Sequence, residues 1–355
     1  MIIFFKGIGY LAAALLVFSV FSMKAPKGDK AMSGLAGAAV ATFLVEALCG
    51  TVGGDVMNVD FLKAVGDASG SMGGVAAAIL VPLSMGATPV FAVTAGAAVA
   101  GFGILPGFLA GYVVYFASKA VSKILPAGID VIAGSIAVAC LARFVAVFSA
   151  PFVTTVIGNI GQSIMIATQQ SPIVMGLVLG GLMKMVCTSP LSAMALTAML
   201  NLTGLPMGIA SIACVGGAFS DGIMVLRLKL GGKSQAVSIM MEPLTQADLV
   251  TSNSLPIYAG DFLAGGTSGI VAVLLGIVNN APGTSAPIPG ALVPFAYNSP
   301  TVVIVAIAFA AVCGICSGFI VSTFFKETGF GRKLLTATCK GASTKKYSSM
   351  AYHAR

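Results

Sequence analysis

Residues 262–325 read FLAGGTSGIVAVLLGIVNNAPGTSAPIPGALVPFAYNSPTVVIVAIAFAAVCGICSGFIVSTFF, which is 64 positions without an Asp, Glu, Lys or Arg. Three further uncharged runs, at residues 68–118, 144–183 and 185–220, bring the total to 191 of 355 residues. A water-soluble domain carries charged side chains every few residues on its surface. A helix that spans a membrane needs about 20 apolar residues, so each of the two longest runs holds at least two crossings. The sequence therefore predicts a polytopic membrane protein.

Composition indicates that these crossings are helices. The chain is 57% hydrophobic and 8% charged, with a mean hydropathy of +1.02. Strands of a membrane β-barrel alternate apolar and polar residues, whereas these runs are continuously apolar. We therefore predict an all-α fold with about ten transmembrane helices, at residues 2–23, 31–51, 72–88, 89–105, 106–122, 128–149, 173–187, 205–225, 263–280 and 301–325.

The basic residues predict the orientation of the chain. Of a net charge of +8, the segment after residue 325 contributes seven cations and one acid, which is +7 − 1 = +6. Lys and Arg are enriched on the cytoplasmic side, so we expect a membrane-embedded domain at residues 1–325 and a cytoplasmic tail at 326–355. Contacts with lipid headgroups account for the basic tail, and no nucleic-acid partner is predicted. Three basic clusters are expected on the same side, at Lys24/Lys27/Lys30, Lys119/Lys123 and Arg227/Lys229/Lys233.

The region between Lys123 and Arg227 requires an extra element. It holds three full predicted spans, although both ends are expected on the same side of the membrane. Two apolar segments with polar interruptions, residues 151–170 and 189–202, can supply a fourth, and one or both are predicted to be re-entrant hairpins or broken helices. Such backbone concentrates along substrate pathways, because protein or water must satisfy its polar groups. The polar candidates here are Asn159 in the first segment, and Thr188 and Ser189 at the start of the second.

The chain carries none of the common catalytic motifs. It has no Walker A, H-E-x-x-H or G-x-S-x-G sequence. Its single histidine is His353, the third residue from the end of the printed sequence. Cys313 and Cys316 form a C-x-x-C inside an apolar run, with no histidine or second cysteine pair beside them. No catalytic residue, cofactor or metal ion is therefore predicted.

Glu242 is the strongest candidate for a ligand-binding residue. Residues 234–261 are too polar to span a membrane alone and too apolar for an ordinary loop, and Glu242 precedes Pro243 within them. Proline interrupts a helix and frees carbonyl groups beside the carboxylate, while Gln246 and Asn253 supply amides nearby. That combination suits the hydroxyl groups of a sugar. The alternative is that Glu242 caps a helix start, where proline is common.

Two other acids, Asp221 and Glu46, are predicted to have structural roles. Asp221 lies near Arg227 at the end of a predicted span, where an interfacial ion pair is expected. Glu46 and Arg143 are each deep in apolar segments and are candidates for a structural ion pair with each other. Residues 281–300 are rich in Pro and Gly without charge, which predicts an extended surface loop or a loop that lines a cavity.

Two motifs resemble a known family. Residues 187–219, CTSPLSAMALTAMLNLTGLPMGIASIACVGGAF, resemble the T-S-P-[IL]-S-[SA]-x-A-[LI] region and the following span of stand-alone EIIC-like membrane proteins of the bacterial sugar phosphotransferase system. Gly266-Thr267-Ser268-Gly269-Ile270 is similar to that family's G-T-S-G-[LI]. The branch includes proteins resembling the perfringolysin O regulator. Glu242-Pro243 resembles the acid–proline signature of larger sugar permeases, in which the acid contacts substrate.

This resemblance implies a ten-span homodimeric permease in the bacterial inner membrane. It would bind a sugar or polyol, and separate cytoplasmic IIA and IIB phosphocarrier proteins would phosphorylate that substrate, so the chain takes part in phosphotransfer only with partners. We expect Thr188-Ser189-Pro190 and residues 266–269 to lie at non-helical breaks that face a common cavity. The predicted substrate-binding residues are Glu242, Gln246, Asn253, Thr188, Ser189, Thr267, Ser268 and Asn159.

Two other functions remain open at this point. One is a secondary transporter coupled to Na⁺ or H⁺, with Asp or Glu carboxylates as coupling groups. The other is a membrane regulator or sensor that keeps the permease fold. Neighbouring genes for phosphocarrier subunits would favour the permease, and dependence of uptake on an ion gradient would favour the secondary transporter.

Overall fold

The computed structural model describes residues 9, 13, 16–18, 20–124, 126, 129–189, 193–246, 249, 250 and 253–327. The predicted first span at 2–23 lies mostly outside these residues, and so does nearly all of the predicted tail at 326–355. The described part is all helix and turn, as predicted. The helices are α1 (Gly28–Ala39, continued by π-helical turns at Val40–Leu44 and Glu46–Val56), α2 (Asp60–Ser71), α3 (Gly73–Met85), α4 (Pro89–Ala98), α5 (Ile104–Ile124), α6 (Ile129–Gln170), α7 (Pro172–Thr188), α8 (Ala193–Met199), α9 (Gly204–Arg227), α10 (Lys233–Met241), α11 (Ser254–Leu274), α12 (Pro287–Leu292) and α13 (Pro300–Glu327). Short 3₁₀ turns follow α10 and α12, at Pro243–Gln246 and Val293–Ala296.

The predicted count of about ten spans is wrong for the described residues. Six helices there are long and apolar enough to cross a membrane, or seven if α2 and α3, bent by 57° at their junction, form one broken span. Two predicted spans, at 72–88 and 89–105, correspond to α3 and α4, which have 13 and 10 residues. Neither helix approaches the roughly 20 residues that a crossing needs. Gly86, at a φ of 98°, ends α3 in a left-handed conformation that glycine adopts without strain.

Residues 151–170, one of the two segments in which a hairpin or a broken helix was expected, do not form one. They belong to α6, a helix of 42 residues that contains Pro151. Because helix-breaking residues are tolerated in membrane helices when neighbouring groups satisfy the freed carbonyl, a proline is a poor marker of a helix end there. The prediction of a break is correct for residues 189–202, because α7 ends at Thr188 and a separate short helix, α8, follows.

Glycines set the packing of the helices that surround the candidate site. A side chain at Gly180 of α7 would come within 2.5 Å of the carbonyl oxygen of Gly265 in α11, so the two backbones are in direct contact. Gly176 and Gly269 form the next such pair along the two antiparallel helices. Small residues at this spacing allow close approach of membrane helices.

The contacts of α9 fix its direction relative to two neighbours. Gly216 and Ser220 of α9 lie beside Gly314 and Gly318 of α13, which makes those two helices parallel. Their C-terminal ends, Arg227 and Glu327, therefore lie at one end of the bundle. This matches the expectation that the basic clusters near these two ends share a side.

Candidate functional site

Helix α7 ends within the bundle, beside α11. Thr188 is the last residue of that helix, and Ser189 adopts an extended conformation with φ −82° and ψ 160°. The Thr188 hydroxyl donates to Oδ2 of Asp261 at 2.5 Å, and the Ser189 hydroxyl donates to the Val186 carbonyl at 2.8 Å. Asp261 lies seven residues into α11, so the break is inside the bundle rather than at its surface. The predicted break at Thr188–Ser189 is confirmed, while Pro190 lies outside the described residues.

Three charged side chains meet next to this break. Lys184 of α7 lies 2.7 Å from Asp221 of α9 and 3.6 Å from Asp261 of α11, measured from Nζ to the nearer carboxylate oxygen. All three side chains are completely buried. We call these residues the Lys184 cluster. Sequence reasoning did not identify it, because its members are 37 and 40 residues apart along the chain.

The predicted ion pairs are both wrong. Asp221 pairs with Lys184, whereas Arg227 donates to the Thr323 hydroxyl at 3.2 Å and lies over the ring of Phe319. Arg143 donates to two carbonyl groups at the end of α4, and Glu46 lies against Gly70 instead. Asp221 is completely buried, whereas Glu46 and Arg227 are partly exposed and Arg143 is exposed. In both cases the partner was decided by which helices pack together.

Glu242 ends α10 and faces a cavity. Its backbone is extended, with φ −149° and ψ 102°, and Pro243 begins a 3₁₀ turn directly after it. The carboxylate accepts the Leu244 N–H at 3.4 Å, and the Thr245 hydroxyl donates to the Glu242 carbonyl at 2.7 Å. Glu242 also fits the alternative of a cap at a helix start, because its carboxylate accepts an N–H of the 3₁₀ turn that begins at Pro243.

The cavity beside Glu242 has a volume of about 430 Å³. It lies between α1 with its first π-helical turn and the segment after α10, and its lining residues are Ser33, Ala36, Gly37, Val40, Ala41, Glu242, Leu244 and Thr245. Partial burial raises the pKa of Glu242, while the Leu244 N–H and the positive charge of Lys184 oppose that shift. The carboxylate is thus accessible from the cavity and also within electrostatic reach of the Lys184 cluster.

The remaining predicted residues do not converge on this cavity. Gln246 ends the 3₁₀ turn, and the buried amide of Asn253 donates to the Leu249 carbonyl at 3.0 Å. Asn159 lies on the exposed side of α6, where its carbonyl accepts the Ser163 hydroxyl at 2.8 Å. Neither Gln246, Asn253 nor Asn159 lines the cavity beside Glu242.

The positions of Thr267 and Ser268 do not match the prediction of a helix break at residues 266–269. Residues 266–269 lie inside the continuous helix α11 and not at a break. Thr267 donates to the carbonyl groups of Leu263 and Ala264, as hydroxyls in helices commonly do. Ser268 is buried against Gly216 of α9, in a helix contact. The small residues of this motif allow close packing, so the common cavity predicted for the two motifs is not formed by residues 266–269.

A second cavity, of about 200 Å³, lies further along the same span that carries α1. Its lining residues are Phe43, Glu46, Ala47, Gly50, Thr51, Asp55, Asp67, Asn280, Ala281, Pro282, Thr284 and Tyr297. Residues 33–41 of this span face the first cavity and residues 43–55 face the second, and the π-helical turns begin at Val40. π-Helical turns within α-helices occur frequently at functional sites.

Part of the wall of the second cavity comes from a segment that folds back into the bundle. Asn279 is completely buried, and its amide donates to the hydroxyls of Ser211 at 2.9 Å and Thr284 at 2.8 Å. The Ser285 hydroxyl donates to the carbonyl of Ala210, which lies near the start of α9. The segment at 281–300 is therefore a largely buried, cavity-lining element, which agrees with one of its two predicted roles.

Helices of membrane-spanning length, a helix end inside the bundle and polar groups facing cavities are features of a membrane transport protein. The chain matches the family described as phosphotransferase system, EIIC, over residues 29–335. It therefore belongs to that family and is a permease component of a sugar phosphotransferase system, as the sequence motifs implied. Comparisons with curated proteins and with solved structures gave no match.

Proposed function

We propose that this chain binds a sugar or polyol in the cavity beside Glu242 and moves it across the membrane for phosphorylation by cytoplasmic IIA and IIB proteins. The observation that carries the proposal is the Glu242 carboxylate at a helix end, facing a cavity of about 430 Å³ within a helical membrane protein. Pockets of a few hundred Å³ with a small number of polar groups are typical of small-molecule sites.

The hydrogen-bonding capacity of Glu242 supports a polyhydroxylated ligand. A carboxylate offers about four acceptor sites, and among the described residues this one receives a single long bond from Leu244. Substrate hydroxyls can donate to the remaining sites. The adjacent hydroxyls of Ser33 and Thr245 can donate to or accept from the same ligand.

Replacing the acid by its amide tests this role. Glu242→Gln keeps the shape and one acceptor but removes the charge, so sugar affinity should fall by about 1.5–3 kcal/mol, the range for hydrogen bonds to charged groups. Isothermal titration against a panel of hexoses and polyols measures the change. Asp60→Asn is the matched control, because Asp60 is an exposed acid at the start of α2 and should leave affinity unchanged.

A melting curve on the same samples separates binding from stability. If Glu242 only orders the chain after α10, Glu242→Gln should lower the melting temperature and leave the affinity intact. That result would contradict the proposed role and leave Gln246, Asn253 and Thr188 as the remaining candidates.

The phosphate donor is expected to be separate. His353 lies in the predicted tail, and no other histidine is present to carry a phosphoryl group. Product phosphorylation in membrane vesicles should therefore require phosphoenolpyruvate and added cytoplasmic subunits. Uptake of unmodified sugar driven by an ion gradient alone would instead favour the secondary transporter. Binding without uptake in either assay would favour the sensor.

A further inference from the structure

The Lys184 cluster contains more negative than positive charge. Lys184 supplies one cation, and Asp221 and Asp261 supply two carboxyl groups, all completely buried. With all three groups ionised, the cluster would have a net charge of −1 inside the membrane-embedded bundle. An uncompensated buried charge is costly, and ionisable groups within membranes pair or become neutral.

In the part of the chain that the structure describes, the surroundings of the cluster provide no second cation. Among the described residues, the titratable side chains that interact with the cluster are Cys187 of α7, Cys214 of α9, Tyr258 of α11 and Glu242 after α10. None of these can carry a positive charge. The positions of α13 in contact with α9 include Ala310, Gly314 and Gly318, which carry no charge, and Cys313 of that helix faces Thr267.

The hydrogen-bond pattern also indicates that the cluster lacks one hydrogen atom. Oδ2 of Asp221 accepts from Lys184, and Oδ2 of Asp261 accepts from Thr188. The two Oδ1 atoms are buried and receive no hydrogen bond among the described residues. Both carboxyl groups lie against the same Lys184 ammonium group, at 2.7 and 3.6 Å, so they are close neighbours. One added hydrogen between them would supply the missing donor.

We propose that the Lys184 cluster is a proton-binding site that holds one exchangeable proton between Asp221 and Asp261. The proton is taken up from water and returned to water, and no electron is transferred. With the proton bound, the cluster is neutral, since one ammonium group balances one carboxylate and the other carboxyl is protonated. Release of the proton leaves two like-charged carboxylates beside the Thr188 contact, so packing at the end of α7 depends on proton occupancy. The inference does not rest on sugar binding.

Infrared spectroscopy of the purified full chain tests this site directly. Selective ¹³C labelling of the aspartate carboxyl groups distinguishes their carbonyl bands from those of Glu46 and Glu242. At neutral pH the wild type should show a label-sensitive band from one protonated aspartic acid. Asp221→Asn and Asp261→Asn should each abolish the band, because the remaining carboxylate then ionises and pairs with Lys184. Asp55→Asn, in an exposed ion pair with Lys63, should leave it intact.

A substitution of Lys184 should have the opposite effect on the infrared band. Lys184→Met removes the only positive charge, so both carboxyl groups should be protonated and the band should grow about twofold. An unchanged band in Lys184→Met, or a band that persists in either Asn variant, would overturn the proposal. If the variants do not fold, the wild type alone decides, because the absence of a protonated aspartic acid band at neutral pH would also overturn it.

Discussion

At the residue scale, the chain's polar chemistry depends on a few side chains whose partners are distant in sequence. Lys184 is the clearest case, because in the sequence it only separates two uncharged runs, at residues 144–183 and 185–220. In the structure it is buried between Asp221 and Asp261 and packs against Gly217 and Gly265. Glycine at those two positions leaves the space that the lysine side chain occupies. A lone lysine in an apolar run should therefore be examined for acids on the neighbouring helices.

Removal of Lys184 should strongly destabilise the protein. Breaking a buried ion pair by removing one partner typically costs about 3–5 kcal/mol, because the remaining charge has no compensation. In Lys184→Met both carboxyl groups must be protonated in the folded protein at neutral pH, which costs free energy. The melting temperature should therefore fall and partly recover at acidic pH, where the carboxyl groups of the unfolded chain are protonated as well. Lys63→Met is the matched control, since Lys63 and Asp55 are about half exposed and solvent screens such pairs. Equal melting temperatures for the two variants would contradict the structural importance of the buried pair.

At the scale of elements, the close contact between α7 and α11 carries the site. The two helices present Gly176 and Gly180 to Gly269 and Gly265, and the same two faces continue to Lys184, Thr188 and Asp261. Glycine spacing thus brings the backbones together and so allows the polar side chains one and two turns further on to meet. The motif at residues 266–269 belongs to this packing surface, which explains why it is helical.

An alanine at Gly180 should disrupt this contact. The added methyl group would lie 2.5 Å from a backbone oxygen that cannot move independently of its helix, so the helices must separate. Overpacking of this kind costs about 1–3 kcal/mol, only partly offset by the higher helix propensity of alanine. Thermal unfolding in detergent measures the loss.

The control for Gly180→Ala is Gly158→Ala in α6, where nothing lies within 4 Å of the added carbon. Alanine should stabilise that helix interior by about 0.5–1 kcal/mol. If both substitutions changed the melting temperature in the same direction and to the same extent, the close contact between α7 and α11 would not be limiting.

At the scale of the whole molecule, the parallel arrangement of α9 and α13 places Arg227 and Lys326 at one end of the bundle. The positive-inside rule predicts that this end faces the cytoplasm. The proposed partners would then act there, and the tail at residues 326–355 would extend from the same side. The homodimer implied by the family remains a prediction.

Cysteine labelling in intact cells should confirm this orientation. In a background without the native cysteines, Ser348→Cys should not react with an impermeant external reagent, because the tail is expected in the cytoplasm. Ser299→Cys should react, since Ser299 is exposed at the start of α13, at the other end from Lys326. External reaction at residue 348 together with protection at residue 299 would reverse the assigned topology.

The sequence alone determined the class of the protein, because uncharged runs of this length can only be buried in a membrane. Its motifs were sufficient to indicate the family, and Ser189 beside Pro190 was sufficient to predict the break after α7. Hydropathy could not determine where each span ends: it divided α6 into two elements, and it read α3 and α4 as full crossings. A membrane interior suits any apolar residue, so local composition carries little information on helix ends.

Only the tertiary structure decided which polar groups meet. Lys184, Asp221 and Asp261 lie on three helices, and opposite charges so far apart in sequence leave no periodic pattern that could reveal their contact. Glu242 was recognisable from the proline that follows it, yet its cavity depends on α1, some 200 residues earlier in the chain. Local chemistry selects the residues that can bind a ligand or a proton, whereas helix packing decides which of them share a site.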